Sequence, residues 1–166
     1  MSTPIVILVL LTFPYLALRL YGLLSGRRFD ARGAGAAGLG IAFLFFALGH
    51  FAETAAMALM LPPWVPARTP LIYATGVLEL AIAVGLFLPG TRRAAGWAAA
   101  AVLVAFFPAN IYAAMNHVPM GGHAWGLAYL LVRAPLQAIL IAWVWWFVVR
   151  EPRPAPRIGA AFEVHP

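Results

Sequence analysis

The chain has 166 residues, of which 64% are hydrophobic and 10% charged, against about 45–50% apolar and 25% charged for ordinary soluble domains. Five acidic and eleven basic residues cannot give a globule of this size a polar skin, so a soluble single-domain enzyme is excluded and the apolar surface is expected to face lipid. The net charge of +6 comes from arginine alone, without lysine, in short clusters between apolar runs; with no basic face or polybasic tail it does not read as a nucleic-acid surface. Zero cysteine also excludes a disulfide framework, a CxxC redox pair and thiolate metal ligands.

With about 20 apolar residues per helical crossing, five spans are expected in an all-α polytopic bundle. The first runs from about Ile5 to Leu24. It is read as a retained helix, not a signal peptide, because Met1 to Pro4 is uncharged and the positive charge, Arg19 to Arg28, follows the apolar core. The second covers about Gly35 to Leu61, and its glycine-rich start (Gly35, Gly38, Gly40) suits close helix approach in lipid. Pro62, Pro63 and Pro66 end it. The third runs from about Pro70 to Leu88. The fourth, Ala94 to Met115, contains Pro108, and the fifth, Trp125 to Val149, follows a polar loop from Asn116 to Gly122. Residues 1–150 thus read as one transmembrane domain and 151–166 as a Pro/Arg-rich cytoplasmic tail, unstructured by composition.

Arginine content alternates from loop to loop, as the positive-inside rule requires. Arg27, Arg28 and Arg32 follow the first span, Arg92 and Arg93 the third, and Arg150, Arg153 and Arg157 the fifth, while the intervening loops hold only Arg68. That pattern predicts an outside N-terminus and a cytoplasmic C-terminus; a four-span form, with the first segment removed or lying flat, is the competitor.

Ionisable groups within a span are costly unless paired, and each is a candidate functional residue. His50, Glu53, Glu79 and Arg133 are such groups. Counted at helical rise from the outer boundaries, Glu53, Glu79 and Arg133 lie about 12–13 Å deep, His50 about 16 Å and Asn110 about 8 Å, with Gln137 one turn below Arg133. All fall at one level of the outer half of the bilayer. His50, Glu53 and Met57 share a helical face at i, i+3, i+7, and Arg133 and Gln137 share another at i, i+4. An arginine fork there calls for a carboxylate, from Glu53 or Glu79. The alternative for the same residues is interhelical glue. No metal site is expected, since neither four-ligand closure nor a repeated ExxH pair is present, and a lone His50 without CxxCH is poor ground for haem. His117 and His123 read as loop residues. Trp64 and Trp125 mark the outer interface, and Trp97, Trp143, Trp145 and Trp146 the inner one. Pro108 breaks the helical ladder just before Asn110.

Four ordered stretches, Gly49-His50-Phe51, Tyr73 to Glu79, Phe107 to Tyr112 and Arg133 to Gln137, resemble the DoxX-like family of small bacterial integral membrane proteins. The resemblance covers about Gly33 to Phe147. It implies a four-helix membrane core, here with one extra N-terminal helix, and for some relatives an association with quinone-linked oxidation of sulfur compounds or with redox-stress complexes.

The expected function is therefore an inner-membrane protein whose outer-half pocket (His50, Glu53, Glu79, Asn110, Arg133, Gln137) binds a small amphipathic molecule such as quinone. Arg133, Asn110 and Gln137 would donate hydrogen bonds; His50, Glu53 and Glu79 would exchange protons. No metal, flavin or thiol electron carrier is evident, so any oxidoreductase role requires a redox partner protein. A small proton-coupled transporter is the alternative, disfavoured by the lack of an inverted repeat, and a structural or assembly factor is another. Homo-oligomerisation would supply what so small a bundle lacks.

Overall fold

The computed structural model describes residues 2–151, and no strand occurs among them. In chain order the helices are α1 (Ser2–Ser25), α2 (Ala31–Ala52), the short α3 (Thr54–Ala58), α4 (Arg68–Phe87), α5 (Arg92–Met115) and α6 (Leu130–Trp143). A 3₁₀ segment, His123–Tyr129, leads into α6, and a π-helical turn, Val144–Val149, closes it. α1, α2, α4, α5 and the composite last helix are each long and apolar enough to cross a membrane. All five expected spans are thus present as helices; the tail beyond Glu151, with Arg153 and Arg157, lies outside the described residues.

α2 is the central helix. In its most apolar stretch 56% of residues are buried within the bundle, against 17% for α1, and it packs on α1, α4 and the last helix. Small residues make this possible, because in lipid close contact replaces the hydrophobic drive as the source of helix association. A methyl group at Gly38 would collide with the Leu11 carbonyl of α1, one at Gly35 with the Phe147 ring, and one at Gly40 would stand 2.9 Å from the Phe87 ring of α4. Leu11, Leu39, Phe43, Leu86, Leu140 and Val144 fill the space between the helices with no exposed surface or almost none.

α1 rests on the edge of the bundle. Besides the Gly38 contact it is held by Tyr15, whose ring lies 5.2 Å from Phe29, 5.9 Å from Trp143 and 5.2 Å from Phe147. Trp143 also has a packing role: its indole N–H donates to the Gly35 carbonyl at 2.9 Å, which joins the last helix to α2. Trp145 and Trp146 are exposed, as expected.

The second span departs most from expectation. It begins earlier, at Ala31, where the Asp30 carboxylate caps the first turn by accepting from the amides of Arg32 and Gly33 at 3.1 and 3.0 Å. It then breaks at Glu53, far short of Leu61, with φ −117° and ψ 30° and neither proline nor glycine at the break. The Thr54 hydroxyl donates to the His50 carbonyl at 2.6 Å, serving the acceptor that the backbone leaves there. Beyond it α3 turns back far enough to bring the Met57 methyl within 3.2 Å of where a side chain on Gly49 would start.

Because Gly38 meets backbone rather than a movable side chain, Gly38→Val is expected to cost about 1–3 kcal/mol by displacing α1. Thermal unfolding in detergent, with proteolysis at the Arg27–Arg28 turn as the local readout, measures this.

Candidate intramembrane polar site

Five of the six residues singled out on depth, His50, Glu79, Asn110, Arg133 and Gln137, come together in the half of the bundle away from the arginine-rich turns. His50, Glu79, Asn110 and Gln137 are all at most 7% exposed. His50 on α2 reaches Glu79 on α4, with Nδ1 3.0 Å from Oε2. The approach requires Gly76, one turn before Glu79, because a methyl there would lie 2.7 Å from the His50 Cβ. His50 Nδ1 is also 3.1 Å from the Phe46 carbonyl. A single Nδ1 hydrogen therefore faces two acceptors. It is aimed at Phe46, which leaves Glu79 Oε2 beside the imidazole but without a well-aligned hydrogen bond.

Asn110 on α5 organises the second half. Its amide N–H donates to the Phe106 carbonyl at 2.8 Å, which fixes Oδ1 as the acceptor for Arg133 Nε at 2.8 Å, with His123 Nε2 at 3.2 Å. Gln137, one turn from Arg133 on α6, donates to the Leu103 carbonyl at 2.8 Å, close to the Val104 carbonyl that Pro108 deprives of a backbone donor. The halves meet at Phe106, whose ring centre lies 6.1 Å from that of His50.

The carboxylate expected for the arginine fork is thus replaced by the neutral oxygen of Asn110; no carboxylate among the described residues is paired with Arg133. Glu53 lies outside the cluster, exposed at the helix break. The i, i+3 relation to His50 requires an unbroken helix, and the break occurs at Glu53 itself.

His123 and Tyr129 are the residues that sequence reasoning missed. His123, a loop residue by its place in the sequence, is 4% exposed, with its ring 4.8 Å from Tyr129, itself 3% exposed. Gly122 (φ 111°) and Gly126 (φ 68°) allow the chain to fold in this way. A methyl at Gly122 would lie 2.5 Å from the Tyr129 ring. The signal available was Gly121-Gly122 immediately before an aromatic-rich stretch. His123 Nδ1 lies 2.8 Å from the Met120 carbonyl, so this imidazole too faces two acceptors. His117 has a structural role. It takes a left-handed conformation (φ 51°) and closes α5, with Val118 N–H donating to the Ala113 carbonyl at 3.0 Å.

Among the described residues, three buried polar atoms in the cluster have no hydrogen-bond partner: Arg133 Nη1, Glu79 Oε2 and Gln137 Oε1. One is a donor and two are acceptors. Native proteins rarely leave such atoms unsatisfied without a functional reason or a small bound molecule.

The family described as "Domain of unknown function (DUF8561)" matches residues 39–148. The chain belongs to that family. The DUF8561 segment contains His50, Glu79, Asn110, His123, Arg133 and Gln137, and it leaves out α1 and the α2 glycines Gly35 and Gly38. Comparison with curated proteins and with solved structures gives no match.

Asn110→Ala leaves both Arg133 and His123 without their shared acceptor and is expected to lower stability by about 1–3 kcal/mol. Glu53→Gln, at an exposed and unpaired position, is expected to stay within about 0.5 kcal/mol of the parent. Denaturant titration in mixed micelles compares the two. Gly76→Val is expected to separate His50 from Glu79, seen as a shift in the His50 imidazole resonances.

Proposed function

We propose that this chain is a DoxX-like protein of the bacterial inner membrane whose polar cluster binds the head of a small amphipathic molecule, with quinone or quinol as the class. It would act as a subunit or accessory of a membrane redox system. The observation that carries the reading is the trio of unsatisfied atoms. A ring hydroxyl can accept from Arg133 Nη1 and donate to Glu79 Oε2 or Gln137 Oε1, so a quinol head answers a site with one open donor and two open acceptors. His50, alongside Glu79, is placed to share the proton that a quinol gives up. Electrons would pass to a partner protein, since the sequence has no cysteine and no CxxCH motif to hold a carrier. The resemblance over the four membrane-crossing helices after α1 supports the family reading. The alternation of arginine supports five crossings with the C-terminus in the cytoplasm.

Interhelical glue is the second reading, favoured by the hydrogen bonds from Arg133 and His123 to Asn110. Titration with decylubiquinol, followed by tryptophan fluorescence, separates the two. Glu79→Gln and Arg133→Gln are each expected to weaken binding at least tenfold, about 1.4 kcal/mol. Unchanged binding with reduced thermal stability would leave only glue. Mass spectrometry of the solubilised protein is expected to find co-purified quinone. A reporter fused after Pro166 is expected to be active only as a cytoplasmic fusion; periplasmic activity overturns the proposed orientation.

A further inference from the structure

Six of the eleven arginines, Arg27, Arg28, Arg32, Arg92, Arg93 and Arg150, gather at the end of the bundle opposite the polar site. The start of α2, the start of α5 and the end of the last helix meet there around a cavity of about 360 Å³, lined by Arg32, Arg92, Arg93 and Arg150 with Asp30 and Glu151. Pro89, Val148 and Val149 form its apolar wall. Four cations stand against two anions, so the lining carries a net +2.

Three of the four guanidinium groups are anchored in ways that leave donors over. Arg32 donates Nε to the Phe147 carbonyl at 3.3 Å and Nη2 to both the Val148 carbonyl at 3.2 Å and the Arg150 carbonyl at 2.5 Å, so among the described residues only Nη1 is left over. Among the described residues Arg92 spends only Nε, on the Leu86 carbonyl at 3.2 Å. Arg150 lies 4.1 Å over the Trp146 ring, a stacking contact that uses none of its N–H groups. Arg93 pairs with Glu151 at 2.8 Å, but both side chains are more than 60% exposed, and such a surface pair is weak and easily exchanged. Asp30 has its carboxylate engaged in capping α2. The guanidinium forks of Arg92 and Arg150, with their spare parallel N–H groups, match the oxygen geometry of a phosphate, and Arg32 adds a single Nη1; basic cavities between transmembrane helices suit phospholipid headgroups.

We infer that this cavity binds a phosphoryl group, presented by an anionic phospholipid or by phosphate free in solution. The apolar wall of Pro89, Val148 and Val149 suits a group that carries apolar atoms beside its phosphate. This site is independent of the quinol reading, because it lies at the other end of the helices and shares no residue with it.

The test uses the full-length protein, delipidated in a neutral detergent, with native mass spectrometry against dioleoyl phosphatidylglycerol, dioleoyl phosphatidylcholine and inorganic phosphate as separate probes. The expected result is retention of phosphatidylglycerol at least tenfold above phosphatidylcholine, reduced at least tenfold in Arg92→Gln/Arg150→Gln. Inorganic phosphate retained as well as phosphatidylglycerol, and lost in the same variant, would identify free phosphate as the source. Retention that ignores headgroup charge, or that the double variant leaves unchanged, overturns the site. Arg92→Lys/Arg150→Lys serves as the folding control: it keeps charge but loses the fork, and is expected to fall between the parent and the glutamine variant.

Discussion

Van der Waals contact is nearly all that lipid leaves to hold apolar helices together, and α2 obtains it by stripping side chains from three of its faces. Gly35, Gly38 and Gly40 let the last helix, α1 and α4 come in against its backbone, and Gly76 on α4 returns the arrangement at the level of His50. The polar cluster depends on that spacing. Were α2 and α4 held apart by one more methyl group at position 76, the His50 imidazole could not stand 3.0 Å from Glu79.

Within that frame the polar groups are distributed unequally. Asn110 serves three partners at once, and through it α5, α6 and the loop before α6 become mutually fixed. The two imidazoles each confront two acceptors, while among the described residues Glu79 Oε2 and Gln137 Oε1 have no well-aligned donor. The cluster is therefore short of hydrogens, apart from the spare donor on Arg133. In a low-dielectric interior such a shortage is expensive, and the proposed hydroxyl-bearing guest would relieve it.

Much of this is legible in the sequence because a membrane makes hydropathy and charge unusually informative. Five apolar runs correspond to five helices, and counting rise from the boundaries puts Glu79, Asn110, Arg133 and Gln137 at a common level with His50. What escapes is whatever depends on backbone geometry rather than polarity. The break at Glu53 comes with a threonine hydroxyl bonding the His50 carbonyl, with no glycine or proline to announce it, and it carries Glu53 out of the site. His123 and Tyr129 look like loop residues because their burial is created by two glycines at positive φ. The packing role of Trp143 escapes for a related reason: an indole near a span's end reads as a boundary marker, and only the opposing Gly35 carbonyl reveals the bond between helices.

The π-helical turn at Val144–Val149 has an effect on register. Closing its last bond from Arg150 N–H to the Trp145 carbonyl, at 2.9 Å and five residues back, accommodates one residue more than an α-helical turn would. At 3.6 residues per turn, one surplus residue rotates the chain that follows by about 100°. Val144, Val148 and Val149 accordingly share the buried side at intervals of four and five residues. Arg150 leaves the helix turned to stack on Trp146, at the rim where the helix ends converge. The last span thus carries a built-in phase shift, and a single-residue deletion within it would redirect its terminal cation while leaving the helix above unturned.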